Sequence, residues 1–258
     1  MRMTMAITSG ACVIPDIQPV KDAIFLGRCL FAWLVIFMLF RNLPGLDLGV
    51  TALFCRDAST PAGLLCEGFA ARDSYVGMVF RKLFYWTPIL APFALLTNII
   101  WTGLRSGWAD RERLRTTAVL IGGFVLGPVL IVNGLLKPFS GRPRPHETVD
   151  FGGVLPFAAA GDFSGACATN CSFVSGEAAS AGWLICLLPL LNGRLRTVLA
   201  AVIIDISIAT PLLRVAMGGH FPSDVALGWI IGLAAPAALS LLLIFVPVRI
   251  SATLERAR

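Results

Sequence analysis

The chain reads as an all-α polytopic membrane protein, a bundle of six transmembrane helices, and three observations lead there. Its 258 residues are 57% hydrophobic and only 14% charged, more apolar surface than one soluble core of this length hides. Six apolar runs approach the ~20 helical residues needed to cross roughly 30 Å of hydrocarbon, where every backbone polar group must be satisfied internally. The net charge of +6 comes from short basic clusters between those runs, not from one basic face interleaved with aromatics. That scatter follows the positive-inside rule and speaks against nucleic acid as a partner.

The elements follow in order. Residues 1 to 20 mix Pro15, Asp16 and Pro19 into little apolar sequence, without the layout of a cleavable signal peptide. The first apolar run, Ile24 to Phe40, is therefore expected to stay in the bilayer, with Arg28 snorkelling to the interface. The others are Leu83 to Gly103, Thr116 to Leu136, Phe173 to Leu191, Thr197 to Leu213 and Val225 to Val246. Arg105, Arg111, Arg113 and Arg115 crowd the second connector, Arg194 and Arg196 the fourth, and Arg249, Arg256 and Arg258 the tail. These segments are expected in the cytoplasm, and with them both termini. The connectors Arg41 to Lys82 and Lys137 to Ser172, and the turn around His220, then face outward. Gly63 to Lys82 mixes apolar and charged residues, as expected of an amphipathic helix along the interface or of a segment packed on neighbouring spans. Asp205, midway along the fifth span, should face the bundle interior or be protonated. No repeat or low-complexity linker interrupts the chain, so residues 1–258 read as one domain.

Four of the seven cysteines, Cys55, Cys66, Cys167 and Cys171, fall in the two outward connectors. Disulfides persist in oxidising compartments, and of the three possible connectivities proximity favours Cys55 with Cys66 and Cys167 with Cys171. Cys12, Cys29 and Cys186 lie in the tail or the spans. Neither pair has zinc-ligand spacing beside histidines, so no metal is expected, and no cofactor.

Chemistry concentrates where four span ends meet on the outward side. Lys137, Arg142 and Arg144 sit among Pro138, Pro143 and Pro145, a stiff segment that presents its cations instead of continuing a helix. Ser175 and Gly176 open the fourth span, and a helix N-terminus suits an anion. Arg214 closes the fifth and adds a guanidinium fork for phosphate oxygens. His220, one of two histidines with His146, precedes Asp224 by four residues. A carboxylate there can hold one imidazole nitrogen protonated and leave the other free to attack phosphorus.

These stretches resemble the type 2 phosphatidic acid phosphatase superfamily, in its membrane branch. Lys137 to Pro145 matches the first part of its signature, and Arg214 through His220 to Asp224 matches the third, with Leu213 in place of a serine. In the second part, Val174-Ser175-Gly176-Glu177 keeps Ser and Gly but carries Val for Pro and Glu for His. The resemblance covers Leu83 to Val246. It implies a metal-independent phosphomonoesterase with His220 as nucleophile, forming a phosphohistidine, and Asp224 orienting it. Lys137, Arg144, Ser175, Gly176 and Arg214 would hold the phosphate, and Arg142 is a further candidate. Glu177 stands where the family has its leaving-group acid, with His146 as the second candidate for that role. A site at the outer face suits a phosphorylated lipid, and the chain looks most like bacterial lipid A phosphatases, with the 4′-phosphate favoured over the 1-phosphate. Undecaprenyl diphosphate and phosphatidylglycerol phosphate are the alternative substrates. A lipid-phosphate binding or transport protein without turnover is the alternative of another class.

Overall fold

In the computed structural model, residues 17–60, 63–106 and 110–245 are described. Helix α1 (Ile17–Asn42) is followed by the short α2 (Gly45–Ala52) and an antiparallel hairpin of β1 (Cys55–Thr60) and β2 (Gly63–Phe69). A single turn, α3 (Ala70–Asp73), leads into the 32-residue α4 (Tyr75–Ser106). Helix α5 (Arg111–Phe124) continues as a π-helix over Val125–Leu136 and ends in α6 (Lys137–Phe139). After a long connector come α7 (Gly176–Leu184), which tightens into a 3₁₀-helix over Ile185–Leu190, then α8 (Arg196–Ala216) and α9 (Pro222–Phe245).

Among the described residues, five helices are long and apolar enough to cross a membrane. The expected fourth span is instead a shorter apolar helix, Gly176–Leu190. It begins at Gly176 because Phe173 and Val174 lie in the preceding loop, packed into a buried apolar cluster with Val132, Ala160 and Leu227. Nearly every side of α7 is covered, from Ala178 through Leu184. A helix wrapped by its neighbours does not have to match the hydrocarbon thickness that a lipid-facing one must. The other spans outrun their apolar runs, α1 and α4 by eight residues or more across their ends. Val246, expected as the last residue of the sixth, lies outside the described residues, as do Cys12, Arg249, Arg256 and Arg258.

Helix α9 is the axis, packed on α7, α1 and α5. Its approach to α7 depends on absent side chains: a Cβ at Gly228 would run into the Ser175 carbonyl, and one at Gly232 into that of Ala179. Small residues let helix backbones close in this way within a bilayer. Trp183 and Trp229 anchor the packing through polar ends, the first donating to Leu120 O at 2.8 Å and the second to Ser207 Oγ at 2.9 Å.

In two places where the sequence left a pair of alternatives, one of the pair falls away. The segment Gly63 to Lys82 is not one amphipathic helix. Its first part pairs as β2 with β1, closed by the Cys55–Cys66 disulfide, and its last part forms the opening turns of α4. Asp205 does not face the interior. It lies on the exposed side of α8, because the inward stripe of that helix is Ser207, Thr210 and Arg214 and two residues of α-helix turn a side chain about 200° from Ser207. Arg28 is likewise exposed on α1.

Candidate active site

The C-terminal ends of the π-helix and α8 and the N-terminal ends of α4, α7 and α9 converge at one end of the bundle around a cavity of about 590 Å³. Lys137, Arg144, Gly176, Glu177, Arg214 and His220 all line it. Its other wall is apolar, with Pro88 and Ile89 from α4 and Phe124, Pro128 and Val129 from α5 and the π-helix. The cavity is thus cationic at one end and greasy along the bundle.

His220 sits in the turn between α8 and α9, 1% exposed. Its Nδ1 lies 2.9 Å from the Ser172 carbonyl oxygen. A carbonyl only accepts, so Nδ1 carries the hydrogen and Nε2 keeps its lone pair. Burial, reinforced by the nearby cations Arg214 and Lys137, drives the imidazolium pKa down to about 3, against the raising pull of Asp224. The ring is therefore neutral near pH 7, with an unprotonated nitrogen available to an electrophile in the cavity.

Asp224 was expected to hold His220 directly. The two are 3.9 Å apart, beyond a hydrogen bond. Ser172 is the link: its hydroxyl donates to Asp224 Oδ2 at 2.5 Å while its carbonyl takes the imidazole N–H. The second carboxylate oxygen accepts from Arg142 at 2.6 Å.

Arg142, a candidate phosphate ligand by its place in the motif, is nowhere near the cavity surface. Fully buried, it donates to Asp224 Oδ1 and Asp47 Oδ2 at 2.6 Å each, to Ser223 Oγ at 2.8 Å and to the Ala158 carbonyl at 2.9 Å. Asp47 in turn accepts from the Ser223 N–H and hydroxyl. Burial raises the Asp47 carboxyl above the usual carboxylate range despite the pull of Arg142. This network ties α2 and the connector to the first turn of α9.

Lys137 and Arg144 are steadied by one residue, Asn170. Its side-chain oxygen takes the Lys137 ammonium at 3.5 Å, and its carbonyl accepts two Arg144 N–H groups at 3.2 and 3.0 Å. Asn170 has φ +50°, a left-handed conformation that asparagine tolerates, and the Cys167–Cys171 disulfide closes the loop carrying it. Burial lowers the Arg144 pKa. Arg214 is packed so tightly that a Cβ at Gly219 would run into its guanidinium.

Four expected residues sit differently from one another. Gly176 opens onto the cavity, where a Cβ would collide with Asn133. Ser175 is buried, and its hydroxyl caps α7 by accepting from the Ala178 N–H at 3.3 Å. His146 lines a separate cavity of about 380 Å³ with Arg72 and Phe151. Its ring Nδ1 and backbone N–H both bond the Gly218 carbonyl, at 2.8 and 3.1 Å, pinning the turn that carries His220. Burial lowers its pKa. Glu177 faces the main cavity between two guanidinium groups, 3.3 Å from Arg81 and 3.4 Å from Arg214.

Sequence reasoning missed Asp47, Ser172, Asn170 and Arg81. Nothing local in the sequence marks any of the four.

The model of the PAP2 superfamily matches residues 118–245. The lipid A 4′-phosphatase of Rhizobium leguminosarum is 42% identical over 213 residues, 80% of this chain and 91% of the relative. This chain belongs to the PAP2 superfamily. The lipid A 4′-phosphatase of Francisella tularensis subsp. novicida is 30% identical over 203 residues, 76% of this chain and 84% of that one. A transmembrane PAP2 type phosphatidylglycerolphosphate phosphatase from Bacillus subtilis is matched over its whole length by 91% of this chain, at TM-score 0.46 and 17% identity. That likeness is too distant to add to the fold described above. As a PAP2 member with these relatives, the protein is a membrane-embedded phosphoric monoester hydrolase.

Proposed function

We propose that the protein hydrolyses a phosphomonoester on the lipid A headgroup, the 4′-phosphate in preference to the 1-phosphate, at the periplasmic face of an inner membrane. The observation that carries the reading is the cavity, cationic around His220 and apolar along α4 and the π-helix. An amphiphile with a phosphate at its polar end matches both walls. The 42% identity to lipid A 4′-phosphatases supports the substrate class and position. The orientation is supported by two disulfides at the site end of the bundle and by Arg105, Arg111, Arg113, Arg194 and Arg196 at the other.

The Nε2 lone pair of His220 attacks phosphorus, and the bond from phosphorus to the lipid oxygen breaks. Lys137, Arg144 and Arg214, with the Gly176 N–H at the start of α7, neutralise the charge on the phosphoryl oxygens. Substrate entering as the phosphate monoanion brings one proton, which Glu177, the carboxyl in the cavity, relays to the leaving oxygen. The ring and backbone of His146 are engaged with Gly218, which leaves it a positioning part. Water then attacks the phosphohistidine, releasing orthophosphate and the neutral imidazole. Because the monoanion is the productive form and the second phosphate pKa is about 6, the optimum lies on the acidic side of neutral.

Mass spectrometry of lipid A from a host expressing the chain tests this. Loss of one phosphate, assigned to the 4′ position by fragmentation, is expected for the wild type and is absent for His220→Ala. Asp224→Asn is slower than wild type but faster than His220→Ala, since it loosens Ser172 without deleting the nucleophile. Unchanged lipid A alongside dephosphorylation of another lipid would overturn the substrate, and turnover by His220→Ala would overturn the mechanism.

A further inference from the structure

We propose that Glu177 is a built-in stand-in for the substrate phosphate, and that Arg81 is an additional phosphate ligand supplied from α4. The idea rests on the phosphatase reading of the cavity and goes past it. Arg81 belongs to none of the three parts of the signature and lies outside the residues matched by the superfamily model, yet it lines the same cavity as Lys137, Arg144, Arg214 and His220. Glu177 is one of three positions, with Val174 and Leu213, at which the chain departs from the family pattern, and of those three it alone lines the cavity. The departure and the extra cation meet: one carboxylate oxygen, Oε1, is 3.3 Å from Arg81 and 3.4 Å from Arg214 Nε.

Those contacts are loose by the standard of this molecule, in which Arg142 holds Asp47 and Asp224 at 2.6 Å. Arg214 is the more telling partner. Its side chain is 5% exposed, and its Nε, among the described residues, has no hydrogen-bond partner. A buried donor left without an acceptor costs free energy, and here it belongs to a side chain that lines the cavity and meets, among the described residues, only the Glu177 carboxylate, at 3.4 Å. Two guanidinium groups from different helices converge on a single oxygen, although each presents a fork suited to two. A phosphate offers three oxygens in a tetrahedral array and uses both forks. The carboxylate thus keeps Arg81 and Arg214 in place in the free protein and yields them to the phosphate on binding. Displaced from its cations and beside the substrate monoanion, it stands where the leaving oxygen requires a proton. Arg81, with 45% of its side chain exposed, reaches over from the mouth of the cavity.

The test uses the full-length protein in detergent, with two independent readouts: thermal stabilisation by inorganic phosphate, which reports binding by mass action, and steady-state release of phosphate from lipid A. Arg81→Gln weakens phosphate binding roughly tenfold, as for loss of a charge-assisted pair, and raises KM more than it lowers kcat. Arg81→Lys, which keeps the charge but not the fork, falls between. Glu177→Gln lowers kcat yet tightens phosphate binding several-fold, because the competing carboxylate is gone. If Arg81→Gln leaves both phosphate binding and KM unchanged, Arg81 is no ligand. If Glu177→Gln weakens phosphate binding or leaves it as it was, the carboxylate is a structural tie and the stand-in role is wrong. Wild type that binds inorganic phosphate but releases none from lipid A would refute the lipid A assignment alone, so that failure reads out separately from failure of this exchange, which the phosphate-binding arm reports.

Discussion

Arg142 and Arg214 are both buried arginines packed on the turn that carries His220, the first against Phe221 and Asp224 and the second against Gly219, and they have opposite conditions. Arg142 is saturated: two carboxylates at 2.6 Å, a hydroxyl and a carbonyl take its donors, and the rings of Phe221 and Phe157 cover it at 4.5 and 5.7 Å. Arg214 has a single carboxylate at 3.4 Å and a buried Nε without an acceptor. The difference separates a group whose donors are all engaged within the fold from one with a donor still to be satisfied. A basic residue in a motif is assigned to one class or the other by its acceptors. The half of the site around Asp47, Arg142, Ser172 and Asp224 is complete in the protein alone. The half around Lys137, Arg144, Arg214 and Glu177 is the one that, in the function proposed above, the substrate phosphate completes.

The largest effect expected from breaking this contrast is on Arg142. Arg142→Met leaves Asp47 and Asp224 buried without their cation, a loss of about 3–5 kcal/mol, read as a lowered unfolding midpoint together with lost turnover. Arg214→Gln should keep the midpoint close to wild type and lower kcat/KM about a hundredfold. Equal loss of stability in both would erase the distinction.

The complete half also carries a pH signature. The His220 pKa is about 3 in the folded protein and about 6.5 in an unfolded chain. Between those values the unfolded state binds a proton that the folded state refuses, so stability falls as pH drops through 6.5 toward 3, by up to about 1.4 kcal/mol per pH unit. The depressed His146 acts in the same direction, and the raised Asp47 carboxyl in the opposite one at the acidic end. Comparing wild type with His220→Gln isolates the term: the variant should show a flatter stability curve over that range, and parallel curves would refute the buried neutral imidazole.

A smaller effect is expected in the open half. Replacing Cys167 and Cys171 by alanine frees the loop that presents Asn170 to Lys137 and Arg144, so KM should rise several-fold with little change in kcat. Thiol labelling of denatured, unreduced protein checks the pairing directly, and neither Cys55, Cys66, Cys167 nor Cys171 should react. Smallest of all is Ser175→Ala, which removes the cap of α7 at a cost of about 1 kcal/mol. If its hydroxyl holds phosphate in place of the cap, the variant will instead change KM.

Composition and apolar run length were enough to find a helical membrane bundle, because the bilayer demands local features: ~20 apolar residues and charges outside them. The same locality made Lys137, Arg144, Gly176, Arg214 and His220 legible, since each sits at a span end at a short, characteristic spacing. The cysteine pairs were legible because they lie 11 and 4 residues apart. What tertiary structure alone decided depends on partners far away in the chain. Asp47 meets Arg142 across 95 residues and Ser223 across 176, and Arg81 meets Glu177 across 96. No local pattern encodes such pairings. For the same reason the outward turn of Asp205 and the short, enclosed α7 escaped a reading based on hydropathy, which measures how apolar a segment is but not which neighbours cover it.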